Sequence, residues 1–349
     1  MYISSEGLHR FTLVLSRKEC KGKNMILLTK THEIPDVDLV PQIERLKREM
    51  NAVILAHFYQ VDEVQDVADF IGDSLDLSRK AADTDAEVIV FCGVHFMAET
   101  AKVLSPHKTV LLPDLAAGCS LAESAPADAF KAFVDAHPGH LVVNYVNTSA
   151  AVKALSDYCV TSSNAVQVIN SLPKDRKIIF GPDKYLGDWV RRESGRDMLL
   201  WEGSCEVHEI FSEQAIAEMM REWPEAKVLV HPECPAPVRD LGHVVGSTKR
   251  LLEAVASGPP HATYIVVTEP GIIHKMRQAA PHATFLMAPA TVSGSKEGSC
   301  TSCNTCPHMK RNTLEKLYLC MKNRSPEITL DPEIIRKARL PIERMLAIG

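Results

Sequence analysis

The residues best placed to do chemistry in this chain are three polar pairs at the ends of apolar runs. The runs AVILAHFY, LVVNYVN and KVLVHPE end in His57 and Tyr59, Tyr145 and Asn147, and His231 and Glu233. Seventeen residues after the first member of each pair stands a hydroxyl: Ser74, Ser162 and Thr248. Imidazole, phenol and carboxylate are the groups of general acid–base catalysis. Hydroxyls beside helix starts suit anions. Beyond each set lies a cysteine, Cys119 and Cys205 singly and then the run Cys300, Cys303, Cys306. One cysteine per set invites a metal group held by three thiolates. Iron–sulfur clusters normally take four, so a cubane held by three leaves one iron open as a Lewis acid. Such a centre suits dehydration or condensation better than electron transfer. A site made within the Cys300–Cys306 run, ferredoxin-like or zinc-binding with Cys320 as a fourth ligand, is the competing reading. Each cysteine precedes a helix-like segment (SLAE, EVHEIF, PHMK), and a helix N-terminus is expected to lower a thiol pKa.

These groups recur because the chain repeats. Each first strand is followed by a short helix, a turn (IGDS, TSS, GST) and a second helix, with the hydroxyl read as a cap on that helix's first N–H groups. A second apolar strand (EVIVFCG, KIIFGPD, TYIVVTEP), a helix and a third strand (TVLLPDL, DMLLWEG, TFLMAPA) complete the unit. Strands alternating with helices imply parallel sheets covered on both faces, with ligands outside the carboxyl ends of the strands. The expected fold is therefore α/β: three homologous α/β/α sandwiches around a pseudo-threefold axis, with the site at their centre. The boundaries read as an N-terminal extension over 1–36, repeats over 37–118, 119–204 and 205–305, and a C-terminal helical segment over 306–349 that carries the last cysteine. Met25 offers an alternative start, and the tail helix PEIIRKARLPIERML is expected to break at Pro341. Cys92, Cys159, Cys234 and Cys320 read as buried thiols.

Composition narrows the class. The chain has 349 residues, 46% of them hydrophobic and 24% charged, with a net charge of −5. That is ordinary for a soluble enzyme and gives no electrostatic reason to expect nucleic acid or an anionic membrane. No apolar run approaches a membrane span and the N-terminus lacks a signal-peptide pattern. Ten cysteines without export features point to metal or redox chemistry in the cytoplasm.

The ordered motifs resemble the quinolinate synthase family, the A proteins of de novo NAD biosynthesis. They include HFYQ at 57, GDSL at 72, PDLAAGCSLAE at 113, NYVNTSAAVKA at 144, TSSNAV at 161, GPDKYLG at 181, WEGSCEVHE at 201, HPEC at 231, VGST at 245, TEPGIIH at 268 and CTSCNTCP at 300. The resemblance spans roughly residues 37–340. It implies condensation of iminosuccinate with dihydroxyacetone phosphate to quinolinate, phosphate and water. It also implies a [4Fe-4S] cluster on Cys119, Cys205 and Cys306, and supply of iminosuccinate by L-aspartate oxidase or aspartate dehydrogenase. Carried over by motif, Tyr59, His208, His231 and Glu233 fall on catalytic positions. His57, Ser74, Tyr145, Val146, Asn147, Ser162, His231, Pro232, Glu233 and Thr248 fall on substrate-contacting ones. Glu233 is the preferred general base, with Tyr59, His208 and His231 as proton donors or relays. An electron carrier and a different cluster-dependent dehydratase are the rival functions. Nine convergent polar groups argue against the first, and the motif match against the second.

Overall fold

A computed structural model describes residues 17–20, 23–26, 38–290 and 304–348. Of the 1–36 extension, only the backbone of an antiparallel hairpin, β1 (Arg17–Cys20) and β2 (Lys23–Ile26), is described. Cys300 and Cys303 lie outside the described residues.

Twelve further strands form three parallel four-stranded sheets with the same internal order. The first holds β3 (Ala52–His57), β4 (Phe70–Gly72), β5 (Val88–Cys92) and β6 (Thr109–Leu111), ordered β4-β3-β5-β6. The second repeats that order with β7 (Leu141–Tyr145), β8 (Tyr158–Val160), β9 (Ile178–Gly181) and β10 (Leu199–Leu200). The third does so with β11 (Lys227–Val230), β12 (Val244–Val245), β13 (Thr263–Val267) and β14 (Thr284–Met287). The sequence pattern predicts three strands per unit, and the structure adds β4, β8 and β12. They are edge strands of two or three residues next to glycine, serine or aspartate, too short for any alternation to show.

Burial explains the arrangement of the sheets. Along β5, Ile89 and Phe91 face a large central core while Val88, Val90 and Cys92 face a separate outer core. The same division holds along β9, with Ile178 and Phe180 inward and Ile179 outward, and along β13, with Tyr264 and Val266 inward and Ile265 and Val267 outward. Successive strand side chains point to opposite faces. Each sheet therefore has an outer core of its own and contributes its inner face to one shared core, as three sandwiches about a common centre require. Cys92, Cys159, Cys234 and Cys320 are all buried thiols.

The C-terminal segment binds the units together. Helix Leu314–Asn323 puts Leu317, Tyr318, Cys320 and Met321 into the outer core of the first sheet. Helix Pro332–Ala347 delivers Ala338, Ile342 and Met345 to the central core. That helix runs through Pro341 instead of breaking there. A proline costs a helix one backbone hydrogen bond. Here Pro341 is buried, and the packing of its neighbours on both sides outweighs the loss.

Candidate active site at the junction of the three sheets

The carboxyl ends of β3, β7 and β11 open onto one cavity. Its wall contains His57, Tyr59 and Ser74 from the first unit, Tyr145, Asn147 and Ser162 from the second, and His231, Glu233 and Thr248 from the third. Cys119, Cys205, Cys306 and His208 also line it. Val146 and Pro232, the middle residues of two triplets, do not. Val146 is buried with its N–H on the Val160 carbonyl, 2.8 Å away, and the Pro232 carbonyl accepts from Arg239 Nη1.

The hydroxyls do not cap their helices as expected. Asp73 and Ser247 cap helices Ser74–Asp83 and Thr248–Ala256, accepting from the first-turn N–H groups, so Ser74 and Thr248 are the first helical residues. Ser162 sits in a turn ahead of helix Ala165–Ser171. The neighbouring caps and turns meet at the junction, where Ser163 Oγ donates to Asp73 and lies 2.8 Å from Ser247 Oγ. Because the preceding residue does the capping, the Ser74 and Thr248 hydroxyls are left on the cavity wall.

One hydrogen-bonded chain crosses the cavity. Glu233 Oε1 accepts from the Tyr145 hydroxyl at 2.6 Å, and Oε2 lies 3.0 Å from His208 Nδ1. On its far side, His208 Nε2 is 2.8 Å from Thr268 Oγ1, which is 2.6 Å from the Tyr59 hydroxyl. Burial by itself would raise the Glu233 carboxyl. The imidazoles of His231 and His208, with the hydrogen bonds from His208 and Tyr145, outweigh burial and hold it below its ordinary range. An ionised carboxylate only accepts, so His208 Nδ1 donates to Glu233; with His208 neutral, Nε2 accepts from Thr268, which in turn accepts from Tyr59. In that tautomer the chain runs in one direction, from Tyr59 to Glu233. Burial drives the phenols of Tyr59 and Tyr145 well above their usual range, with the Glu233 charge adding to the effect, so both keep their protons. Burial also takes His57 and His231 down to about 3, leaving them neutral. His231 stacks on His208 with centroids 4.6 Å apart. Asn147 Oδ1 is buried without a protein partner, an acceptor suited to a ligand donor.

The third unit reaches Tyr59 by close backbone approach. A Cβ on Gly271 would meet the Tyr59 main chain at 2.8 Å, so only glycine allows this contact. Gln65 bridges the same seam, its Nε2 lying 3.0 Å from the Gly271 carbonyl and 3.1 Å from that of Phe58.

The three lining cysteines are free thiols. Cys119 and Cys205 stand at the N-terminal ends of the short helices Ser120–Glu123 and Glu206–Glu209. Their pKa values are nonetheless raised, contrary to the expectation from helix position. Burial pushes Cys119 up to about 12, Cys306 up to about 11 and Cys205 well above its ordinary value. A negative charge on Cys306 raises Cys119 further, and charges on Cys119 and Cys306 raise Cys205. Backbone N–H groups at Leu121, Ala122, His208, His308 and Met309 offset only part of this. Three converging thiols that oppose one another's ionisation are a donor set for a shared cationic group, which would stabilise all three as thiolates. Cys205, His208 and Glu233 form a second group with metal-ligating atoms within 4.8 Å of one another, although both His208 nitrogens are already in the hydrogen-bonded chain.

Several contributors escaped the reading of the repeats. Thr268 and Glu269 follow the end of β13, Asp183 follows β9, and Lys310 lies beyond Cys306. Sheet register makes them findable: Ala56 pairs with Cys92, Asn144 with Gly181 and Val230 with Val267, so Val94, Asp183 and Glu269 occupy one equivalent slot.

The chain is similar to known proteins over most of its length. The family model described as Quinolinate synthetase A protein matches residues 41–347. A protein of Synechococcus sp. named quinolinate synthase is 56% identical over 319 residues, covering 91% of this chain and 97% of its own. Proteins of the same name from Thermosynechococcus vestitus and Chloroherpeton thalassium are 57% and 54% identical, each over 90% of this chain and 96% of theirs.

Proposed function

The chain belongs to the quinolinate synthetase A protein family and is an enzyme that forms quinolinate; from that premise we propose that it condenses iminosuccinate with dihydroxyacetone phosphate, releasing phosphate and water. We further propose that Cys119, Cys205 and Cys306 hold a [4Fe-4S] cluster. When bound, such a cluster supplies an open iron as Lewis acid for a substrate carboxylate, hydroxyl or carbonyl oxygen.

The observation that carries the reading is the directed chain from Tyr59 through Thr268 and His208 to Glu233 beside three convergent thiols. Carbon–carbon bond formation needs a proton removed beside an imine or carbonyl, and aromatisation then needs hydroxyl groups expelled. The ionised Glu233 suits the first task as base. Tyr59 and Tyr145 keep their protons and suit the second as donors. His57, Ser74, Ser162, Thr248 and the Asn147 amide present neutral hydrogen-bonding groups to a dicarboxylate and a phosphate. Residues 1–36, 37–118, 119–204, 205–305 and 306–349 serve in this reading as extension, three repeats and a closing segment. The enzyme works in the cytoplasm on iminosuccinate handed over by L-aspartate oxidase or aspartate dehydrogenase. No helix of the described residues is long and apolar enough to cross a membrane.

A second reading, a single metal ion on Cys205, His208 and Glu233, rests on the proximity of their ligating atoms. Anaerobic reconstitution with iron and sulfide, followed by assay with both substrates, tests the proposal and separates the two. Wild type should assemble a cluster and form quinolinate, and Cys119→Ala should lose both. Loaded wild type that forms no quinolinate refutes the reaction. A Cys119→Ala protein that keeps a full cluster refutes the ligand set.

A further inference from the structure

The slot after each second strand holds Val94, Asp183 and Glu269, and its two carboxylates both reach a cysteine loop. Asp183 Oδ1 caps helix Lys184–Ser194, accepting from Tyr185 N at 2.7 Å and Leu186 N at 2.9 Å. Its other oxygen accepts from Cys205 N at 3.0 Å, a bond that capping does not require. Glu269 Oε2 accepts from Gly271 N at 2.6 Å, while Oε1 accepts from Cys306 N at 3.2 Å and from Lys310 Nζ at 3.0 Å. Both carboxylates are fully buried. Such burial is costly for a charged group and poor value for stability alone. The first unit differs. Its slot is Val94, and its cysteine loop is held by a main-chain bond, His95 N to the Ala117 carbonyl at 2.7 Å.

We propose that Asp183 and Glu269 are positioning residues for the metal group, each fixing the backbone of one ligand cysteine so that its thiol is aimed before the group binds. The inference rests on the reading that Cys119, Cys205 and Cys306 hold a cluster. Groups outside the ligand set that orient ligands commonly govern metal affinity. Glu269 has the wider reach. Its partner Lys310 also donates to the Tyr59 carbonyl at 2.6 Å, tying the Cys306 loop to the loop that carries Tyr59. The slot therefore serves the three cysteine arms differently, with no carboxylate for Cys119, one for Cys205, and one paired with a lysine for Cys306.

The test compares reconstituted wild type with Asp183→Asn, Glu269→Gln, Lys310→Gln and Glu99→Gln. Glu99 is the control: its buried carboxylate accepts from Ala150 N at 2.9 Å and, although its other oxygen lies 3.8 Å from the His95 imidazole, it accepts from no backbone N–H of a cysteine loop. The readouts are iron bound per chain, the visible and reduced-state EPR spectra, and the rate of iron loss to a chelator, with the melting temperature of each cluster-free protein alongside. Asp183→Asn and Glu269→Gln should weaken retention about 10–100-fold, the usual range for such partners. Glu99→Gln should retain the cluster as wild type does. Where Glu269→Gln fails to fold, Lys310→Gln reports on the same arm from a part-exposed position and should show the same direction. Wild-type retention in Asp183→Asn and in the Glu269 or Lys310 variant overturns the proposal. Equal loss in Glu99→Gln also overturns it, because a general effect of buried carboxylates would then explain the result. Wild type that assembles no cluster refutes the underlying metal reading instead, before any variant is compared.

Discussion

Replacing Thr268 by valine should disable catalysis while leaving substrate affinity almost unchanged. Thr268 is fully buried and is absent from the cavity wall, whereas Tyr59 and His208, which it joins, both line it. Valine keeps the shape and removes only the hydroxyl oxygen that stands 2.6 Å from Tyr59 and 2.8 Å from His208. Two consequences follow from the donor directions. Tyr59 loses its acceptor and His208 Nε2 loses its donor, each loss costing about 1–3 kcal/mol if no other partner takes its place. Both groups border the cavity, where solvent can partly replace the bond, so a total near 2 kcal/mol of stability is the expected scale. The kinetic effect is larger because the Nδ1-protonated tautomer of His208 is no longer enforced from the Nε2 side. Positioned acid–base groups contribute about 10²–10⁴-fold, and loss of about 10² in kcat is expected when the connection rather than the base is removed. KM should hold, since no cavity-lining atom changes. Steady-state quinolinate formation by cluster-loaded enzyme gives both constants, and Thr268→Ser, which restores the hydroxyl, should recover most of kcat. A valine variant with wild-type kcat, or one in which only KM rises, refutes the directed chain.

Two further outcomes concern stability. His57 and His231 have pKa values of about 3 when folded against 6.5 when unfolded, so between those values the unfolded chain binds more protons. Their contribution is complete above 6.5 and is lost as pH falls; at pH 5 the loss amounts to roughly 2 kcal/mol for each imidazole. Melting curves from pH 7 to 4.5 should therefore show a steep acid loss of stability that flattens in His57→Asn, and an unchanged slope in that variant contradicts the assignment. Asn164 joins the Ser162 turn to the C-terminal helix: Oδ1 accepts from Thr161 N at 2.8 Å, and Nδ2 donates to the Met345 and Ile348 carbonyls at 2.9 and 2.7 Å. Asn164→Ala should cost about 2–3 kcal/mol, the sum of these bonds at their usual net worth, measured by denaturant unfolding. A neutral result would mean that the Asn164 bonds contribute nothing to docking of the tail.

What could be read from the chain followed repetition, and what could not depended on contacts between copies. The pairs ending β3, β7 and β11 were visible because equal spacing and related chemistry marked them three times. The slot at Val94, Asp183 and Glu269 was not, since its residue types diverge and only the register of β5, β9 and β13 against their neighbours makes them equivalent. The thiols misled for a related reason. Helix position is a local property that argued for low pKa values, whereas burial among the three units is a tertiary one and dominates. Pro341 likewise follows its packing against the local rule.

The hydrogen-bonded chain shows why that division matters for function. Tyr59 comes from the first unit, Tyr145 from the second, and Thr268 and Glu233 from the third, with His208 on the segment after β10. No unit holds a complete acid–base pathway. The seam at Gly271, Gln65 and Tyr59 is therefore as much a condition of proton transfer as any titrating group, because a shift of the first unit against the third opens the 2.6 Å contact between Tyr59 and Thr268. Triplication supplied equivalent positions around an axis. The chemistry depends on the copies having diverged at those positions and on their meeting closely enough for unlike residues to bond across the axis.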